Sequence, residues 1–172
     1  MARIRRGRYG AEIDGDFVVF LIGARLNSPT RVLQSVVDLG GRRHGMQAML
    51  QSLVADPEKG LLGYRMGFPV IVQYWRSFEH LEAFARDPGD LHRPTWLAWY
   101  RRSPQGRTGI WHETYQVRAG EYEAVYDGVP VGGLAAAGQV VSLDGSSSAR
   151  RRLHRRPAGE EQPDVAEIPA AP

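Results

Sequence analysis

The stretch Phe17-Val18-Val19-Phe20-Leu21-Ile22 decides the fold. Side chains alternate along a strand, so Val18, Phe20 and Ile22 fall on one face and Phe17, Val19 and Leu21 on the other. Both faces are apolar, so a strand over 16–26 has to be covered on both sides. The run is too short to cross a bilayer, which takes about 20 residues. Upstream, residues 1–15 are polar and basic (Arg3, Arg5, Arg6, Arg8) and read as a flexible arm. That start is like a signal peptide, but Glu12, Asp14 and Asp16 intervene and no small-residue cleavage site follows, so a cytoplasmic protein is expected.

Downstream, Asn27-Ser28-Pro29 is a turn with a helix-start pattern. A short helix over 31–38 stops at Gly40-Gly41, and a second run over 43–55 places Met46, Met49, Leu50 and Leu53 at helical spacing. Asp56-Pro57 ends it. Residues 60–68 read as a strand with Leu62, Tyr64, Met66 and Phe68 on one face, and 70–75 as a third strand after a turn at Gly67 to Pro69. Ser77 is placed to cap a helix over 78–86, with Glu79 in its first turn. Another helix begins near Pro94 and carries Trp96, Trp99 and Tyr100 on one face. Residues 108–117 form a fourth strand, and 122–126 a short edge strand.

The resulting order is β-α-β-β-α-β, the ferredoxin-like pattern of an α+β fold, with helices on one face of an antiparallel sheet. The second apolar face of 16–26 needs another cover. A second copy of the chain would supply it as a symmetric homodimer. The late strand and loop are the other source. The domain is read as 16–141, with 142–172 a disordered tail, because Ser146-Ser147-Ser148, the arginine cluster of 150–156 and the Pro/Glu/Ala-rich end cannot bury a core.

Composition bounds the chemistry. The chain has 172 residues, 42% of them hydrophobic, which suits one domain of ordinary size. It has no cysteine, so disulfides, thiolate metal sites and cysteine nucleophiles are absent. The net charge of +3 invites a nucleic-acid reading. The charge is spread, however, and the five arginines after Ser146 sit among four acids, so nucleic acid is not expected as a partner, and with no run long enough to span a bilayer neither is a membrane. His44, His80, His92, His112 and His154 show no metal-ligand spacing, and no glycine-rich phosphate loop precedes a helix. No metal is expected. A haem needs one axial histidine, so spacing leaves it open.

The segments Val18 to Asn27, Gly60 to Gly63, Val72-Gln-Tyr-Trp-Arg-Ser-Phe-Glu79 and Gly109-Ile-Trp-His-Glu-Thr-Tyr115 resemble a bacterial and fungal family described as similar to the monooxygenase of the fumagillin pathway. The likeness runs over roughly 16–136. It implies the dimeric α/β-barrel superfamily, whose unit is the order read above. That superfamily includes cofactor-free oxygenases of phenols, quinols and related intermediates, and haem-binding branches. The fold hosts several functions. The Gly40-Gly41 break fits the family's first helix poorly.

Three residues are candidates for catalysis. His112 shares a strand face with Ile110 and Thr114, and histidine exchanges protons near neutral pH. A hydrogen-bonded structural histidine at a dimer contact is the plainer reading. Gln73 sits mid-strand, where an amide is costly unless satisfied. Arg25 ends the first strand and could hold an anionic oxygen or a surface partner. Tyr74, Trp75, His80, Trp96, Trp99 and Trp111 are candidates for substrate contact, each also able to serve as core, interface or surface. The expectation is a monooxygenase-like tailoring enzyme for a hydrophobic, electron-rich small molecule, without a cofactor. A haem enzyme of the same fold, dehydratase- or peroxidase-like, and a non-catalytic binding dimer are the alternatives.

Overall fold

The computed structural model describes residues 3–28, 30, 33, 45–67, 69–102, 106–143 and 148–153. In chain order the strands are β1 (Arg8–Glu12), β2 (Phe17–Leu26), β3 (Leu61–Arg65), β4 (Val70–Trp75), β5 (Thr108–Val117), β6 (Tyr126–Asp127) and β7 (Gln139–Ser142). The helices are α1 (Met46–Ala55), α2 (Phe78–Arg86), α3 (His92–Arg102), α4 (Leu134–Ala137) and α5 (Ala149–Arg152).

The main sheet has the order β3-β4-β2-β5, with every pair antiparallel. β2 and β3 flank β4, so β2-α1-β3 is a split crossover, and β4 and β5 flank β2 in the same way. This is the ferredoxin-like α+β fold. The apolar pattern of β2 explains its central place, since a strand apolar on both faces loses least by being buried between two others.

Registers assign the faces. Val18 pairs with Trp75 and Gln116, Phe20 with Gln73 and Thr114, and Ile22 with Ile71 and His112. Those residues share the face toward the helices. There Val18 and Trp75 pack with Met49 and Leu53 of α1 and with Leu81 and Phe84 of α2. Ser77 caps α2, its hydroxyl accepting from the His80 backbone N–H at 3.4 Å. A β-bulge between Leu61 and Gly63 shifts the register of β3. The expected single face of Leu62, Tyr64 and Met66 is therefore not formed: Leu62 packs among the residues behind the sheet, and Tyr64 pairs with Gln73. Phe68 lies outside the described residues, as does almost all of the short helix expected over 31–38.

The opposite face is where the structure departs from expectation. Residues 8–12 are not a flexible arm. They form the middle strand of a second sheet, β6-β1-β7, with Tyr9 and Ala11 buried. Together with α4 this sheet covers Phe17, Val19 and Tyr74 from behind. The polar look of 1–15 misled because Tyr9, Ala11 and Ile13 alternate with Arg8, Gly10, Glu12 and Asp14, and only the first set is apolar. The ordered unit also runs past 141: β7 ends at Ser142, Leu143 is buried, and Arg152 of α5 pairs with Glu123 at 2.8 Å. The rest of the expected tail, 144–147 and 154–172, lies outside the described residues. The chain thus supplies part of the second cover itself. The edge strand expected over 122–126 is instead the two-residue β6 of this second sheet.

Two contacts lock the layers. The Ile13 N–H donates to the Tyr122 hydroxyl, which donates to the Ile13 carbonyl at 3.2 Å. Gly138 sits so close to the Glu12 carbonyl that a β-carbon would collide with backbone. Gly138→Ala is expected to destabilise the fold by about 1–3 kcal/mol through overpacking, read as a lower urea midpoint at unchanged m-value.

Candidate functional site

Alternation along β5 puts Thr108, Ile110, His112, Thr114 and Gln116 on the helix side of the sheet. Thr108 is buried, its hydroxyl accepting from the Trp99 indole N–H of α3 at 2.9 Å. Beyond it, among the described residues, the cover stops, and His112, Thr114 and Gln116 are exposed. The result is an open polar row beside the apolar floor of β2. The His112 ring lies 5.4 Å from the Phe20 ring, tilted by 33°. At the Gln116 end the row runs into a cavity of about 330 Å3, walled by Val18, Phe78 and Arg76 among others.

The other candidates divide by location. Gln73 is 3% exposed, and its carbonyl accepts from the Trp75 indole N–H at 2.9 Å. Its amide nitrogen contacts the Met46 sulfur at 3.6 Å. The amide is thus satisfied inside the core and presents nothing to the open row. Trp75 is completely buried and belongs to the core. Arg25 is exposed and pairs with Gly109 on the face away from the helices, so it cannot act on the same ligand as His112. Trp111 is on that same far side, its ring lying over Gly23, where a β-carbon would meet the indole. His80 bonds Ser77 through Nδ1 at 2.9 Å and packs on Gly60, whose φ of +85° suits glycine. Trp96 and Trp99 stack at 5.3 Å on α3. The four tryptophans therefore form no common aromatic chamber: one is core, two belong to α3 and one backs the sheet. Phe20, Thr114 and Gln116 were not singled out from sequence, although the alternation that placed His112 also places them.

Tyr74 belongs to a different cluster. Its hydroxyl and that of Tyr126 surround Gly133, where a β-carbon would lie 3.6 Å and 3.5 Å from them. Burial pushes the Tyr74 phenol above its usual range, and Tyr126 adds to this, while the Leu134 N–H and Arg65 pull the other way. Burial also raises Tyr122, against the hydrogen bond from Ile13. From about pH 10 upward the unfolded phenols lose protons that folded Tyr74 and Tyr122 keep. Stability is therefore fully present below that pH and falls as pH rises through the folded values. Denaturant midpoints measured on both sides of about pH 10 read this, and Tyr74→Phe is expected to flatten the fall.

Among the described residues, no group of three or more His, Asp or Glu is placed to hold a metal ion. No described helix is long and apolar enough to cross a membrane.

The model of the family called Monooxygenase af470-like matches residues 17–134, a span that takes in the whole four-stranded sheet and the His112 row. The chain belongs to this family. The relative named Monooxygenase af470, from Aspergillus fumigatus, is 30% identical over 148 residues, covering 73% of this chain and 52% of the relative. The chain thus spans about half the length of the curated relative it matches. Among solved structures, an aldoxime dehydratase co-crystallised with butyraldoxime superposes with a TM-score of 0.54 at 14% identity, over 80% of this chain and 43% of that one. That likeness concerns the fold alone.

Proposed function

We propose that this protein is a monooxygenase-like tailoring enzyme that oxidises a hydrophobic, electron-rich small molecule with dioxygen and without a bound cofactor. The observation that carries the reading is His112 beside Phe20, on the half of the helix-side face that the described helices leave open, in a chain of the Monooxygenase af470-like family. An imidazole there can take the proton of a phenol or quinol whose ring rests on Phe20. The electron-rich carbanion then adds dioxygen. The carbon–hydrogen bond and the oxygen–oxygen bond break, a carbonyl forms, and the second oxygen atom leaves as water with the returned proton. Thr114 and Gln116 are the hydrogen-bonding neighbours in the same row, and they replace Gln73 and Arg25 as partners for the developing oxyanion.

The second sheet face supports self-association as part of this reading. Leu21 and Val72 pair on it beyond the cover of β1, next to Trp111 and Tyr115, which are 39% and 51% exposed. A second copy would bury them. The Tyr115 hydroxyl donates to Glu113 at 2.7 Å, which also raises that phenol.

An absorbance spectrum and a native mass of the purified protein test both parts. The reading expects only the aromatic protein band and twice the mass of one chain. A Soret or flavin band contradicts the cofactor-free chemistry, and a monomer mass contradicts the pairing.

A further inference from the structure

We infer that α3 is a docking surface for anionic lipid headgroups, so that the protein sits on a membrane without crossing it. The expectation of no membrane partner rested on the lack of a spanning segment, and a surface-bound helix needs none.

The helix reads His92-Arg-Pro-Thr-Trp-Leu-Ala-Trp-Tyr-Arg-Arg102 and contains no acidic residue. At 3.6 residues per turn, Arg93, Pro94, Leu97, Tyr100 and Arg101 occupy roughly 120° of its circumference. All of them are exposed. His92, Thr95, Trp96 and Trp99 occupy the opposite, half-buried side. That side is held to the body: the His92 ring packs 5.6 Å from Phe84 and bonds the Ala85 carbonyl at 3.0 Å, and Trp99 is tied to Thr108. The helix is therefore fixed in orientation, and its outward face cannot turn inward to hide Leu97 and Tyr100, which are 46% and 57% exposed.

That face has an apolar and aromatic centre with a cation at either end. Tyrosine and tryptophan favour the water–bilayer boundary, where the ring is apolar and the hydroxyl wet. Arginines at the rim face phosphate oxygens. A face with cations and no acids is complementary to an anionic surface and repels a cationic one. Trp96 flanks the face, stacking on Trp99 and meeting the Tyr100 ring edge-on, so entry into headgroups is reported by its emission. The lipid surface is independent of the reaction proposed above, and binding is read without substrate.

The test is co-sedimentation of the full chain with phosphatidylcholine vesicles, and with vesicles in which part of that lipid is phosphatidylglycerol. Tryptophan emission is followed in parallel. Binding to the anionic vesicles alone is expected, with a blue shift and with loss at high salt. The doubly substituted R93E/R101E chain is expected to bind about tenfold more weakly or worse. Leu97→Ser with Tyr100→Ser is expected to lose the blue shift while keeping the wild-type circular dichroism. The inference is overturned by equal partition onto both vesicle types, or by no binding. Undiminished binding of R93E/R101E also overturns it, since arginines outside the exposed face of Arg93, Leu97, Tyr100 and Arg101 would then be responsible. A fall in native mass on Leu97→Ser with Tyr100→Ser overturns it too, because the face would then be a contact between copies.

Discussion

Replacing Trp75 with alanine lowers the free energy of unfolding by about 3–5 kcal/mol, a large part of the roughly 5–15 kcal/mol that a domain of this kind possesses. Trp75 has no exposed surface and stands where β4 meets both helices, with Val18 beside it on β2 and Phe84 at 5.6 Å. Its removal leaves a cavity that the sheet cannot close. It also orphans the Gln73 carbonyl, which is 3% exposed and has lost its donor. Trp75→Phe keeps most of the volume but not the N–H, so it should cost less, about 1–3 kcal/mol, mainly from that unpaired amide. Urea unfolding of the two variants separates the packing contribution from the hydrogen bond. Equal midpoints for Trp75→Phe and the parent chain would show that the Gln73 contact contributes nothing.

His112→Ala is expected to slow turnover by about 100- to 10,000-fold, or about 3–5 kcal/mol of barrier, because it removes the proposed base from the open row. Stability should stay within about 0.5 kcal/mol, since the ring is exposed. This split between rate and stability distinguishes the reactive reading from a structural histidine at a dimer contact, whose loss would move the native mass and not the rate. Gln73→Leu is expected to behave in the opposite way, destabilising the fold by orphaning the Trp75 N–H and affecting rate only through that loss.

The main sheet was legible because its strands carry strong alternation and its helices clear boundaries. The span of β5 follows directly from its own residues, and the Ser77 cap was found where the sequence places it. The second sheet was not legible for a physical reason. β1 and β7 are short and paired with each other across most of the chain, Tyr9 with Ser142 and Glu12 with Gln139, and such contacts leave no local trace. The polar glutamine of β4 was misleading in its own way. Sequence shows that an amide lies in a buried strand, but not that a tryptophan two residues on turns its N–H to satisfy it. The same limit applies to the pairing of Arg25 with His112. Parity along each strand gives two faces, yet which face of β5 joins which face of β2 depends on register, and register placed them on opposite sides.

Isotope labelling tests the central claim most directly. Metal-stripped protein is incubated with a panel of phenols and hydroquinones under 18O2, alongside His112→Ala. One labelled oxygen atom in the product, the other in water, and label falling away in the variant are what the account predicts. Product that carries no label, or full labelling that survives the loss of the imidazole, would contradict it.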